Sequence, residues 1–200
     1  MNLISHRRNT IAALQATDIR YGVEVDIRSY GGELVIHHDP FVNATPFESW
    51  LREYNHGTLI LNTKEEGLED KLLELMREHN IDDFFFLDQS FPFLLKTARS
   101  GESRCAIRVS EFESIDTALT LSGKVDWVWI DCFSKFPLDN NQYSQLKDAG
   151  YKLCLVSPEL QGRLSQDEIV DMAKLLNEQE IIVDAICTKN IDVWEMILCK

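Results

Sequence analysis

Residues 22–28 read Gly22-Val23-Glu24-Val25-Asp26-Ile27-Arg28, an apolar strand with carboxylates at alternate positions. Alternate residues of a strand point to the same side, so Glu24 and Asp26 share one face and Val23, Val25 and Ile27 share the other. A strand with aliphatic groups on one side and paired charges on the other reads as buried on both faces, as in a parallel sheet covered by helices. Working outward, similar short apolar runs stand at 2–5, 34–37, 59–62, 84–87, 105–109, 127–130, 152–156 and 185–188. Helical patterns lie between them. Leu68, Leu72, Leu73, Leu75 and Met76 form an apolar stripe. The segments 46–54, 90–98, 140–149 and 191–198 read as further helices. Ser165 and Glu168 read as a capping box before Ile169, Met172, Ala173 and Leu176. Gly22 and Gly150 read as residues that end helices.

Strand–helix alternation along the whole length implies parallel strands joined by crossovers. Counting 23–27 and 34–37 as one bent strand, or as a strand and a tight turn, gives eight. The expected fold is therefore α/β, a compact (β/α)8 TIM barrel with residues 1–200 as a single domain. An open doubly wound sheet is the runner-up, but no glycine-rich phosphate loop follows the first strand. In such barrels chemistry gathers at the C-terminal ends of the strands. The residues there are polar: His6 and Arg7, Glu24 and Asp26, His38 and Asp39, Asn62 and Lys64, Asp88, Arg108, Asp131, Glu159 and Lys189.

Composition narrows the function. The 200 residues are 44% hydrophobic and 26% charged, as in globular domains, and the net charge is −13. That sign disfavours nucleic acid or an anionic membrane as partner. No apolar run approaches the roughly 20 residues of a membrane helix, so no insertion is expected. The N-terminal residues lack the pattern of a signal peptide, and the five scattered cysteines read as free thiols, so a cytoplasmic protein is expected.

Two carboxylates facing one interior repel each other unless a cation lies between them, and a hard divalent ion is the economical solution. A salt-bridged pair contacting Lys64 or Arg7 is the structural alternative. His6 and His38 each follow an apolar strand. Two imidazoles near neutral pH supply a general base and a general acid on opposite sides of a phosphorus centre. His37 turns to the other face and reads as a packing or supporting group. Arg108 fits a second anionic group of a ligand, or equally a salt bridge with Asp88 or Asp131.

The run Ile4-Ser5-His6-Arg7, then Glu24-Val25-Asp26-Ile27-Arg28, then Leu34-Val35-Ile36-His37-His38-Asp39-Pro40 resembles the signature of the glycerophosphodiester phosphodiesterases. The resemblance covers the first forty residues, with looser likeness at Leu59-Ile60-Leu61-Asn62-Thr63-Lys64 and Asp184-Ala185-Ile186-Cys187-Thr188. It implies His6 and His38 as the acid–base pair. It implies Glu24, Asp26 and Asn62 around a divalent metal ion (magnesium, calcium or manganese), and Arg7 and Lys64 on phosphate oxygens. Arg8 stands where the family has glycine, and Asn62 where many members have glutamate. The loop between His38 and Asn62 is shorter than in the family, so a more open site is expected. The implied activity is hydrolysis of a glycerophosphodiester-type substrate, with room for a nucleotide- or polysaccharide-linked group. The alternatives are a catalytically inactive phosphate-binding barrel and a lyase that stops at a cyclic phosphodiester.

Overall fold

A computed structural model describes residues 1–199. The chain packs as two compact units, one of Ser5–Cys105, the other of Met1–Ile4 with the chain from Ala106 onward.

In the Ser5–Cys105 unit the central strand is β2 (Gly22–Tyr30), the stretch with the paired carboxylates. Its first six residues are buried, and its last two run into solvent as one arm of a hairpin. The other arm is β3 (Glu33–Ile36), paired antiparallel with Tyr30 opposite Glu33. Gly31 and Gly32 close the turn with φ of 60° and 88°. A two-residue hairpin loop needs φ above zero at both positions, and glycine accepts that without strain. β4 (Thr45–Pro46) pairs antiparallel with β3. On its other side β2 pairs in parallel with β5 (Leu59–Thr63), which pairs in parallel with β6 (Phe84–Leu87). The runs 23–27 and 34–37 are therefore two antiparallel strands joined by a tight turn and not one bent strand.

Helices α1 (Ile11–Gln15), α2 (Phe47–Leu51), α3 (Glu69–Glu78) and α4 (Phe91–Arg99) complete this unit. The strands bury Val23, Val25, Ile27, Leu59, Ile60, Leu61, Phe85 and Phe86, and the helices cover them with Phe47, Trp50, Leu72, Met76 and Leu94. Continuous burial along the strands is the mark of a sheet covered on both faces.

The other unit repeats the pattern with β7 (Ala106–Val109), α5 (Ile115–Thr120), β8 (Trp127–Ile130), α6 (Asn140–Asp148), β9 (Lys152–Val156), α7 (Gln166–Glu178), β10 (Ala185–Thr188) and α8 (Ile191–Leu198). Strands β7, β8, β9 and β10 pair in parallel in that order. β1 (Asn2–Ser5) joins at β10, where the Asn2 N–H donates to the Asp184 carbonyl at 2.8 Å.

Two local expectations need correction. Gly22 does not end a helix; it opens β2, because α1 stops at Gln15 and a turn holding the Tyr21 N–H to the Asp18 carbonyl intervenes. Ser165 does cap α7, accepting from the Asp167 N–H, but Glu168 pairs with Arg163 instead of closing a capping box. The box forms at α6, between Asp139 and Gln142. The short helices α1 and α5 are too brief for a periodic stripe, yet each starts at a side-chain cap, Thr10 and Ser114. Cys105, Cys132, Cys154 and Cys187 are buried free thiols and Cys199 is exposed. Among the described residues no helix is long and apolar enough to cross a membrane.

Candidate active site

Glu24 and Asp26 are both fully buried on the same side of β2. Asp26 stands opposite Asn62 of β5, so the Asn62 side chain shares their face. The Asn62 Nδ2 donates to Glu24 Oε1 at 2.8 Å. The Arg7 main-chain N–H donates to Glu24 Oε2 at 2.7 Å, and His6 Nε2 lies 3.7 Å from the same oxygen. Arg7 reaches this position with φ of 52°, an uncommon conformation for a residue with a side chain. Its guanidinium Nε stands 3.3 Å from Asp26 Oδ2, and Lys64 Nζ stands 3.3 Å from Asp26 Oδ1. Lys64 also reaches Asp88 at 3.0 Å.

Burial and then the neighbouring Asp26 charge push the Glu24 carboxyl up to about 7; the Asn62 amide and the Arg7 N–H pull the other way without prevailing. Two oxygens in this cluster are buried without a hydrogen-bond partner, Asp26 Oδ1 and Asn62 Oδ1. Buried acceptors in that state are costly unless something meets them. Two carboxylates and an amide oxygen on one face are the donor chemistry of a hard divalent cation, so the residues fit one. Among the described residues no three His, Cys, Asp or Glu side chains gather as a metal cluster, so an oxygen cage here needs the Asn62 amide as its third protein donor.

His38 lies beyond the end of β3 with its side chain 47% exposed, and its Nδ1 is 2.8 Å from Asp39 Oδ1. That hydrogen bond holds the Asp39 carboxyl below its usual range. A carboxylate only accepts, so His38 donates through Nδ1 and leaves Nε2 for a ligand. His37 does not pack into the interior; its Nδ1 accepts the Asp39 N–H at 3.0 Å and shapes the turn that carries His38. Arg28 ties the His38 loop to the Lys64 loop, donating to the carbonyls of His38 at 2.8 Å and Lys64 at 3.0 Å.

The structure thus gathers His6, Arg7, Glu24, Asp26, Asn62 and Lys64. Asp26 makes the salt bridges weighed for the acidic pair, to both Arg7 and Lys64, and stands opposite Asn62 on β5. Arg108 lies in the other unit, and its Nε is paired with Asp131 at 3.1 Å, one of the salt bridges weighed for it.

Four residues act here in roles that the sequence did not assign. Asn9 bonds Asp26 twice. Asp39 anchors the His38 ring, and Arg28 braces two loops. Trp50 of α2 donates its indole N–H to the Arg8 carbonyl at 2.9 Å. Arg8, where a glycine was expected from the resemblance, turns its guanidinium back onto the His6 carbonyl at 2.9 and 3.1 Å. The adjacency of Asn9 to His6-Arg7-Arg8 was the only signal for it.

Comparison with solved structures finds the architecture in a glycerophosphodiester phosphodiesterase from Agrobacterium tumefaciens str. C58, with a TM-score of 0.65, 14% identity, and coverage of 100% of this chain and 99% of that one. A glycerophosphoryl diester phosphodiesterase from Parabacteroides distasonis ATCC 8503 matches with a TM-score of 0.65 and 13% identity over 99% of this chain and 86% of that one. The chain shares its fold with glycerophosphodiester phosphodiesterases. A mutant tryptophan synthase α-subunit from Pyrococcus furiosus matches at a TM-score of 0.58 and 11% identity, covering 98% and 94% of the two chains. No family model matches the sequence, and no curated protein matches it. The likenesses therefore establish the α/β fold class expected from the sequence, that of (β/α) barrels. A fold shared with both phosphodiesterases and a tryptophan synthase subunit leaves the chemistry to be argued from the site.

Proposed function

We propose that the protein is a metal-dependent phosphodiesterase that hydrolyses a glycerophosphodiester-type substrate by His6/His38 acid–base catalysis. The observation that carries this reading is the fully buried Glu24–Asp26 pair, flanked by Asn62, His6, Arg7 and Lys64. A scaffold gains no stability from two buried carboxylates on one face, and the raised Glu24 carboxyl beside a second buried acid supports a functional role for the pair.

Glu24, Asp26 and Asn62 would hold magnesium, calcium or manganese. The ion supplies a positive charge for the phosphate oxygens when bound. Arg7 and Lys64 neutralise the charge that builds on those oxygens. His6, beside Glu24, and His38, oriented by Asp39, exchange protons with the attacking and leaving oxygens. The exposed His38 loop and the short α2 leave room for a bulky second group, such as a nucleotide- or polysaccharide-linked one. Four buried free thiols fit a reducing, cytoplasmic setting.

A non-catalytic phosphate binder is the second reading, favoured by the contacts Asp26 already makes with Arg7 and Lys64. Phosphorus NMR of a glycerophosphodiester incubated with the protein decides among the possibilities. Glycerol phosphate appearing with divalent ion and not in excess chelator is the expected result. Accumulation of a cyclic phosphodiester identifies a lyase. No turnover on any glycerophosphodiester, with ligand affinity lost in His6→Ala and His38→Ala, overturns the enzymatic reading.

A further inference from the structure

We infer that Asn9 is a positioning residue that decides which oxygen of Asp26 faces the ligand. Its Nδ2 donates to Asp26 Oδ2 at 2.7 Å, and its Oδ1 accepts the Asp26 main-chain N–H at 3.0 Å. One amide therefore grips both the backbone and the side chain of the same residue, and this fixes the carboxylate rotamer. With Oδ2 held by Asn9, and Arg7 Nε 3.3 Å from that oxygen, Oδ1 is turned to the side of Lys64. Oδ1 is also the oxygen left without a hydrogen bond, as is the Oδ1 of Asn62 standing opposite on β5. The clamp thus leaves Asp26 Oδ1 without a hydrogen bond, 3.3 Å from the Lys64 ammonium, on the strand face that the Asn62 side chain shares.

The clamp is itself braced. Arg8 donates its N–H to the Glu24 carbonyl at 2.8 Å and accepts the Trp50 indole N–H. Asn9 is followed at once by Thr10, whose hydroxyl caps α1. Residues 7–9 therefore run along β2 as a fixed edge, with main-chain or side-chain donors on Glu24 and Asp26 in turn. Outer groups that orient a ligating carboxylate change metal affinity by about 10–100-fold when removed.

This inference rests on the metal reading of the site, and cation binding tests the two separately. Calorimetric titration with manganese alone is run on the full chain, with melting temperature recorded in parallel. Asn9→Ala should bind manganese about 10–100-fold more weakly than the wild type. Trp50→Phe loosens the same loop without touching Asp26 and should bind within about threefold of wild type. Should Asn9→Ala fail to fold, Asn9→Ser, which keeps a polar group before the cap, is read in its place with the same expectation. Wild-type affinity in the folded Asn9 variant overturns the inference alone, and so does an equal loss in Trp50→Phe, which assigns the effect to the loop. Absence of manganese binding by the wild type overturns the metal reading and the inference together.

Discussion

At the scale of single residues, Asn62 is the most exposed to a decisive substitution. Its amide donates to Glu24 and leaves its own oxygen unmet. Asn62→Glu puts a third carboxylate on the face that holds Glu24 and Asp26. It should tighten divalent-cation binding and lower the melting temperature of the cation-free protein, because repulsion grows in the absence of the ion. Unchanged cation affinity in the folded variant would place residue 62 outside the ligand set. The histidines differ in setting, His6 largely buried beside Glu24 and His38 half exposed on Asp39. His6→Ala and His38→Ala should each reduce turnover by roughly 10²–10⁴-fold, with smaller effects on substrate affinity. Asp39→Ala should also slow turnover, since it frees the His38 ring; turnover equal to wild type would show that the hydrogen bond has no part in orienting it. The shared face of Glu24 and Asp26 and the strand-end places of His6 and His38 were legible from strand alternation and spacing. Asn9 was not, because nothing in the sequence says that a loop amide reaches a strand seventeen positions later.

At the scale of elements, α2 and the β2–β3 hairpin carry the site. Trp50 is fully buried and its indole N–H ends on the Arg8 carbonyl. Trp50→Phe keeps most of the apolar contact and loses that hydrogen bond, so denaturant unfolding should register a loss of about 1 kcal/mol. Trp50→Ala also opens a cavity and should cost about 3–5 kcal/mol. A loss below about 0.5 kcal/mol for Trp50→Ala would contradict its place in the core. In the hairpin, Gly32 holds φ of 88° in open surroundings, so added bulk meets no atoms and only the backbone objects. Gly32→Ala should cost roughly 1–2 kcal/mol through that strain.

At the scale of the whole molecule, protonation of Glu24 should be visible in global stability. Its carboxyl titrates from 4.5 in an ordinary setting to about 7 in the fold. Between these values the folded protein keeps a proton that the unfolded chain releases. The associated stability is complete below pH 4.5 and is lost as pH rises through 7. The carboxyls of Asp39, Glu48, Glu102 and Glu111 are held low, the last at about 2 against its partial burial, by donors from Ser134 and Lys135. Their contributions are lost in acid, grow as pH rises and are nearly complete by about pH 5. The melting temperature in excess chelator should therefore fall between pH 5 and pH 7.5, and saturating divalent ion should reduce the fall. A melting temperature that rises over that range in chelator would refute the burial-driven protonation of Glu24.

The sequence by itself determined the alternation of strands and helices, the fold class, and the shared face of Glu24 and Asp26, because burial pattern and strand periodicity are local properties. It also placed His6 and His38 at strand ends. Only the tertiary structure decided which partner each charged group takes. Asp26 meets Asn9, Arg7 and Lys64, Arg108 meets Asp131, and Glu168 leaves its expected cap for Arg163. These choices depend on which loops approach one another and how deeply each group is desolvated. Neither quantity is written in the spacing of residues along the chain.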